Sequence, residues 1–339
     1  MNKRALLSSL ICRPGIHPVM AGISNRRYVR ILAYHRVLDI DEQTYPFDCE
    51  LISASVRDFE RQMEHVCSRY RVVTFADLEE YEQNNERIPE NTLIITFDDG
   101  YADNYEQAFP ILERYGLKAV FFLSTDYIGT DTPFWFERLA YLVKKGMVDT
   151  SRLDLGPCAG IAGKWRDHRG VLPQEGLYHA VIRLPNRDRL RLLRQIEEGM
   201  PPLPKDEAAL VRPLTWDQVR EMADHGMEIG SHTRSHLILG NGSPKEVAQE
   251  LEVSRRTIEE QISRPVRAVS YPIASYDFAI NPLVIKLVQL AGYRFGVGYT
   301  SGPVRRLTRE RYQLKRLKIE RYVSFDRFRA KLLFPGLFA

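Results

Sequence analysis

The sequence predicts an α/β protein of about seven parallel strand–helix units, interrupted by a mainly helical insertion. Three observations carry that reading. Short apolar runs of strand length alternate with segments of helical periodicity from Ile31 onward. One such run, Leu93-Ile94-Ile95-Thr96-Phe97, is apolar nearly throughout, as a strand covered on both faces is, and it stops on two carboxylates, Asp98 and Asp99. From Phe134 to about Pro213 the alternation lapses, and then it resumes.

Taken in order, residues 1–27 read as a loosely attached leader, followed by a main domain over 28–325. Ile31-Leu32-Ala33-Tyr34-His35 opens that domain as a buried strand. Val56 to Val66 sets Phe59, Met63 and Val66 on one helical face. Val72-Val73-Thr74-Phe75 reads as a short strand, and Phe75-Ala76-Asp77-Leu78 opens a helix. After the Leu93 run, a helix from Tyr105 to Tyr115 ends at Gly116, and Ala119 to Leu123 is the next strand. The insertion, about 134–213, contains the helical pattern Phe134 to Val143 and charged stretches such as Arg187 to Arg194. It either covers a substrate cleft or extends the scaffold. Regular units return at Leu214, with Thr215 as a helix N-cap. Met227 to Gly230 is a strand, and Lys245 to Ile262 places Val247, Leu251, Ser254 and Ile258 on one helical side. Ala268 to Pro272 and Phe295 to Tyr299 complete the strand count.

Composition agrees with a folded chain able to bury a large core: 44% apolar and 27% charged over 339 residues. A net charge of +4 is too small to imply nucleic acid. Its distribution is uneven, because Pro303 to Lys331 carries eleven Arg or Lys against Glu310, Glu320 and Asp326. The last residues, 326–339, read as a basic amphipathic tail. Phe325, Phe328, Leu332 and Leu333 share a face, interleaved with Arg327, Arg329 and Lys331, that packs on the domain or rests on a membrane surface. No apolar run is long enough to span a bilayer. Cys12, Cys49, Cys67 and Cys158 are scattered, which argues against a disulfide framework and a zinc ribbon. The expected location is cytoplasmic, with peripheral membrane contact as the second possibility.

Within a strand, neighbouring side chains point to opposite faces, so Asp98 and Asp99 could not share a site there. At the strand's carboxyl end, with Gly100 free to adopt an unusual backbone angle, both can turn to one point. His232 and His236 lie four apart, which places two imidazoles on one side of a helical turn. Two histidines and one carboxylate with an open position make a catalytic metal site, and the second carboxylate is left as a base. Together they point to metal-assisted hydrolysis. The plainer reading is a turn and an unrelated helix face.

Thr96-Phe97-Asp98-Asp99-Gly100 followed by His232-Thr233-Arg234-Ser235-His236 resembles the polysaccharide deacetylases with the NodB homology domain, over roughly residues 30–325. The resemblance implies an irregular (β/α)7-type barrel, with active groups at the strands' carboxyl ends. It implies a metal-dependent deacetylase acting on N-acetylhexosamine units of a polysaccharide or glycan precursor. Asp99, His232 and His236 match the family's ligands for a divalent ion, zinc first, with Co, Ni, Fe or Mn accepted. Asp98 matches its base. The late L-x-H motif that supplies the acid in many members is absent, since no histidine follows His236. Tyr34-His35-Arg36-Val37 instead is similar to an element of the circularly permuted poly-N-acetylglucosamine deacetylases, which makes His35 the candidate acid. Its alternative is a hydrogen-bonded core histidine. The family's third motif is degraded here to Ser270-Tyr271-Pro272-Ile273. Tyr271, Pro272 and Ile273 then face the substrate and oxyanion, with the Ile273 N–H as donor. The arginine that orients the base in relatives is missing from it. Arg267 and Arg316 are the candidate replacements, and for each the alternative is an ordinary surface cation. Ser275-Tyr276-Asp277 shapes the following loop. His17, His65, His168, His179 and His225 read as surface or packing residues, and Trp135 and Trp216 as core, with stacking on a sugar face as their alternative. Two other functions fit less well: a carbohydrate-binding relative that has lost activity, and a hydrolase of a non-sugar amide.

Overall fold

The computed structural model describes Ser8, Ile11, residues 28–149, Leu153, Gly156, residues 174–274 and residues 277–338. Its strands are β1 (Arg30–Tyr34), β2 (Arg36–Val37), β3 (Ile52–Ala54), β4 (Arg71–Val72), β5 (Thr92–Phe97), β6 (Val120–Leu123), β7 (Glu228–Ser231), β8 (Ala268–Ser270), β9 (Phe295–Ser301) and β10 (Leu314–Lys318). Seven of them close into a parallel barrel in the order β1, β10, β9, β8, β7, β6, β5 and back to β1. The closing β1–β5 pair is in continuous register from Arg30↔Leu93 to Tyr34↔Phe97.

Seven is the expected number, but one member differs. Val72 to Phe75 is not a barrel strand. Only Arg71 and Val72 pair with the start of β5, and Thr74 then caps the helix Phe75–Gln83 through a capping box with Asp77. The seventh member is β10, which the sequence hides because Leu-Lys-Arg-Leu-Lys does not read as an apolar run.

Side chains alternate between the barrel interior and the surrounding helices. Leu32, Tyr34, Ile95, Phe97, Phe121 and Ile229 pack outward, in one cluster with helix residues. Ile31, Ile94, Phe122, Phe295, Val297 and Leu314 form a separate interior cluster, which Phe75 and Leu78 join. That lower plug comes from α2 (Phe75–Gln83), which follows the first outer helix, α1 (Val56–Arg69). A π-turn at Asn104–Ala108 leads into α3 (Phe109–Arg114).

The described part of the insertion forms α4 (Trp135–Lys144), α5 (Gln174–Val181), α6 (Asn186–Glu197) and α7 (Lys205–Ala209), whose Leu142, Leu177, Leu192 and Ile196 pack in one apolar cluster with Phe47, Tyr101 and Ile238 of the barrel side. A buried polar network ties it to the barrel. Arg36 donates to Asp103 (2.8 Å) and to the Tyr45 hydroxyl (2.6 Å), and lies 3.4 Å from Glu137, whose carboxylate also accepts from Tyr101 (2.9 Å). Regular units resume with α8 (Trp216–Asp224), capped by Thr215 as its sequence predicts. In α9 (Pro244–Ile262) the buried residues are Val247, Leu251, Ser254 and Ile258, the four expected.

The boundary expected at 325/326 falls inside a helix, Phe325–Leu333, that packs on the barrel. Phe328 and Leu332 are fully buried, the Arg61 guanidinium lies 4.0 Å from the Phe325 ring, and buried Arg30 donates to the Leu332 carbonyl (2.6 Å). The apolar face that suggested a membrane surface is used by this packing. Among the described residues no helix is long and apolar enough to cross a membrane.

Candidate active site

The upper layer of the barrel interior is where the alternation delivers polar side chains. Ile94, Thr96 and Asp98 continue one face of β5, and Ile31, Ala33 and His35 one face of β1. Asp99 would point away if the strand continued. Instead Asp99 (φ +76°) and Gly100 (φ +92°) both take left-handed backbone, which folds the second carboxylate back to the mouth. A Cβ on Gly100 would come within 2.9 Å of Leu123 and Ile128 side chains. The freedom expected of Gly100 is therefore shared with Asp99, where an ordinary residue carries the strain.

His232 and His236 do not lie on a helical turn, contrary to their spacing. They occupy a loop after β7 in which Thr233 (φ +67°) and His236 (φ +56°) are left-handed. The rings nonetheless converge to 4.9 Å between centroids. Glu250 on α9 holds the loop by accepting from the Arg234 N–H (2.9 Å), the Ser235 N–H (2.8 Å) and the Ser235 hydroxyl (2.8 Å). Nothing in the motif announces Glu250.

Asp99, His232 and His236 fit a metal ion. The His232 Nδ1 is 2.8 Å from the Ser270 carbonyl, which fixes the proton there and turns the Nε2 lone pair to Asp99. The Nε2 atoms of His232 and His236 lie 3.3 and 3.4 Å from Asp99 Oδ1. A tetrahedral ion with bonds of about 2.1 Å spaces its ligands about 3.4 Å apart. Both Asp99 oxygens are buried without a hydrogen-bond partner among the described residues, as expected of a carboxylate whose partner is an ion. Burial, helped by the neighbouring His232, pushes His236 down to about 4, so its ring is the neutral form that ligates. Burial also works against ionising Asp99, yet the two imidazoles outweigh it and hold the carboxyl far below its usual range.

Asp98 faces a different partner. Arg316 grips it with two parallel bonds, Nη1 to Oδ1 at 2.8 Å and Nη2 to Oδ2 at 2.6 Å, with both residues buried. The same guanidinium donates to Thr96 Oγ1 (3.1 Å), Ser270 Oγ (3.0 Å) and the Gly298 carbonyl (2.7 Å), so each of its nitrogens is engaged. Burial alone would raise the Asp98 pKa. The adjacent Arg316 charge more than compensates and keeps it below the ordinary value. Arg316 is thus the arginine beside Asp98. Arg267 is not: it precedes β8 at the opposite end of the barrel and pairs with Glu79 of α2 at 2.7 Å.

His35 is pinned through its backbone, donating to Ser53 Oγ (2.9 Å) and accepting from Asn104 Nδ2 (2.8 Å). Its Nδ1 is 3.5 Å from the Tyr299 hydroxyl, and burial lowers its pKa. His35, Asp98, Asp99, His232, His236 and Tyr299 line one cavity of about 370 Å³. Tyr271 and Ile273 are also on its wall and Pro272 is not. The Tyr271 hydroxyl is committed to the Tyr312 carbonyl (2.8 Å), so only the ring is offered. Ile273 holds φ +57°, a costly angle for a β-branched residue. Ser275 and Tyr276 lie outside the described residues, and Asp277 opens a short 3-10 turn.

Three wall residues come from the insertion: Phe136, Tyr178 and His179. His179 is therefore not merely packing, and the described part of the insertion contributes to the cavity wall. Trp135 is core, as expected, with its neighbour Phe136 packed at 4.8 Å against His236. Tyr299 could have been found from the alternation Phe295, Val297, Tyr299; no comparable pattern marks the insertion residues.

Comparison with known proteins agrees with this geometry. The family model described as polysaccharide deacetylase matches residues 85–296. A Bacillus subtilis (strain 168) protein named "Putative polysaccharide deacetylase YxkH" is 24% identical over 241 residues, covering 71% of this chain and 56% of that protein. The match thus spans little more than half of that relative's length. Among solved structures, Streptococcus pyogenes deacetylase PplD in complex with acetate aligns over 91% of this chain and 97% of its own, with TM-score 0.58 and 19% identity. IcaB from Ammonifex degensii aligns over 91% and 97%, with TM-score 0.55 and 17% identity. At these identities the two structures speak for the fold.

Proposed function

The chain belongs to the polysaccharide deacetylase family, and from that premise we propose that it removes the acetyl group from N-acetylhexosamine units of a glycan by hydrolysis. The observation that carries this is the division of labour between adjacent carboxylates. Asp99 lies without hydrogen-bond donors beside two imidazole nitrogens, while Asp98 is clamped in its ionised form by Arg316. A protein that only bound sugar would have no use for the second.

An acetamide is a poor electrophile with a poor leaving group, so its hydrolysis needs an activated water, a stabilised oxyanion and a proton for the amine. Asp99, His232 and His236 would hold a divalent ion, zinc by first preference, and such an ion would supply Lewis-acid polarisation of the acetyl carbonyl and a more acidic water. Asp98 takes the proton of the attacking water. Arg316 fixes that carboxylate from behind through both oxygens, so the base keeps its charge in a buried site. The Ile273 N–H, set by its left-handed backbone, donates to the developing oxyanion. His35, whose Nδ1 lies 3.5 Å from the Tyr299 hydroxyl, gives a proton to the departing amine from its imidazolium form, which burial makes the stronger acid.

Acetate release from N-acetylglucosamine oligomers, with metal stripped and then restored, tests the proposal beside Asp98→Asn. Release that follows the metal and vanishes in the variant supports it. Tight metal binding without release from any oligomer, together with turnover of small amides, overturns the sugar specificity.

A further inference from the structure

A second cavity, of about 260 Å³, adjoins the catalytic one along α4. The two share Asp48, Glu50, Phe136 and Tyr178 on their common wall. The second is below the range of about 300–1,000 Å³ typical of drug-sized ligands, a size for one sugar ring rather than a chain. Phe136 and Tyr178 supply apolar surface for such a ring. The polar groups at the junction are acidic. Asp48 is fixed in place by accepting the Glu50 N–H at 2.9 Å. Glu42 and Glu320 stand close enough to act on Glu50, and of the nearby cations Arg321 is paired with Glu42. Lys144, on the same wall, donates to the Phe47 and Tyr45 carbonyls. Burial and then its acidic neighbours raise the Glu50 pKa, as expected of a carboxylate short of counter-charge. This acidic mouth stands on a chain whose net charge is +4.

We infer that the cavity along α4 is a subsite for a hexosamine unit bearing a free 2-ammonium group, held by Asp48 and Glu50. The inference rests on the deacetylase reading and deepens it: the enzyme works beside units already deacetylated, so acetyl groups leave in blocks.

The test compares kcat/KM on an N-acetylglucosamine tetramer and on a tetramer carrying glucosamine next to the acetylated unit. The Asp48→Asn, Glu50→Gln double variant is nearly isosteric and keeps the Asp48 oxygen that accepts the Glu50 N–H. The wild type prefers the mixed oligomer, and in the variant that preference falls about tenfold, to near unity. Calorimetric titration with an all-glucosamine tetramer gives a parallel loss, also produced in the wild type by added salt. An unchanged preference, or equal binding of the glucosamine tetramer by both proteins, overturns the subsite. Charge-dependent glucosamine binding without acetate release from any oligomer supports the subsite and removes the deacetylase reading instead.

Discussion

The side of the cavity proposed to hold the ion and the side proposed to handle protons are assembled in different ways. Asp99, His232 and His236 sit on loops after β5 and β7, strands with only β6 between them, and each loop turns through left-handed residues. Asp98 and His35 stand on barrel strands or directly beyond them. The groups that orient them, Arg316 on β10, Tyr299 on β9 and Asn104 beyond Gly100, arrive only because the barrel closes through β1. Residues 85–296, matched by the family model, contain the whole ion-holding side but neither His35 nor Arg316. On the proposed roles, local motif chemistry specifies the candidate metal site, and the pairing of Asp98 and His35 with the groups that orient them depends on long-range closure.

That contrast can be broken experimentally. Chelation of the metal, or His232→Gln, is expected to abolish acetate release while far-UV circular dichroism shows an intact barrel; full activity after verified metal removal would refute the assignment. Arg316→Met should damage the other side, leaving Asp98 charged, buried and unpaired. The expected cost is about 3–5 kcal/mol in urea unfolding, with loss of activity. His35→Gln should lower kcat by about 10²–10⁴ with metal content unchanged in elemental analysis. Loss of metal in that variant would move His35 to the ion-holding side. At the junction of insertion and barrel, burial raises Glu137 to about 7 from an ordinary 4.5. Across that window the native state keeps a proton that the unfolded chain has released, so stability falls as pH rises from 4.5 to 7. Melting temperatures should show the decline in the wild type and a flatter profile in Glu137→Gln. The smallest effect belongs to Arg267→Met, whose partly exposed pair with Glu79 is worth about 1 kcal/mol or less. Activity should be retained, and a large loss would mean that the two arginines are coupled.

What the sequence made legible follows the same division. Asp98, Asp99, His232 and His236 announce themselves because their chemistry is compact in the chain. The packed face of α9 is legible too, since helical periodicity is local. Arg316 could be named only as one of two arginines, because an inward-facing cation in Leu-Lys-Arg-Leu-Lys masks the strand that carries it. The histidine loop shows the converse. Its spacing suggested a helical turn, and convergence of the rings is achieved instead by strained backbone and by Glu250, far from the motif in sequence. His179, Phe136 and Tyr178 were out of reach, since nothing local says which insertion residues reach the cavity wall.

Placing Arg316 on the last barrel strand has a consequence for synthesis. A chain leaving the ribosome exposes its final metal ligand, His236, well before residue 316 follows. At about 5–20 residues per second that interval is roughly 4–16 s. During it Asp98 still lacks its counter-charge, and Glu250 and Ser270, which set the histidine loop, emerge within the same interval. The carboxylate read as the base is therefore the last part of the site to gain its partner in synthesis, and it waits on the final barrel strand.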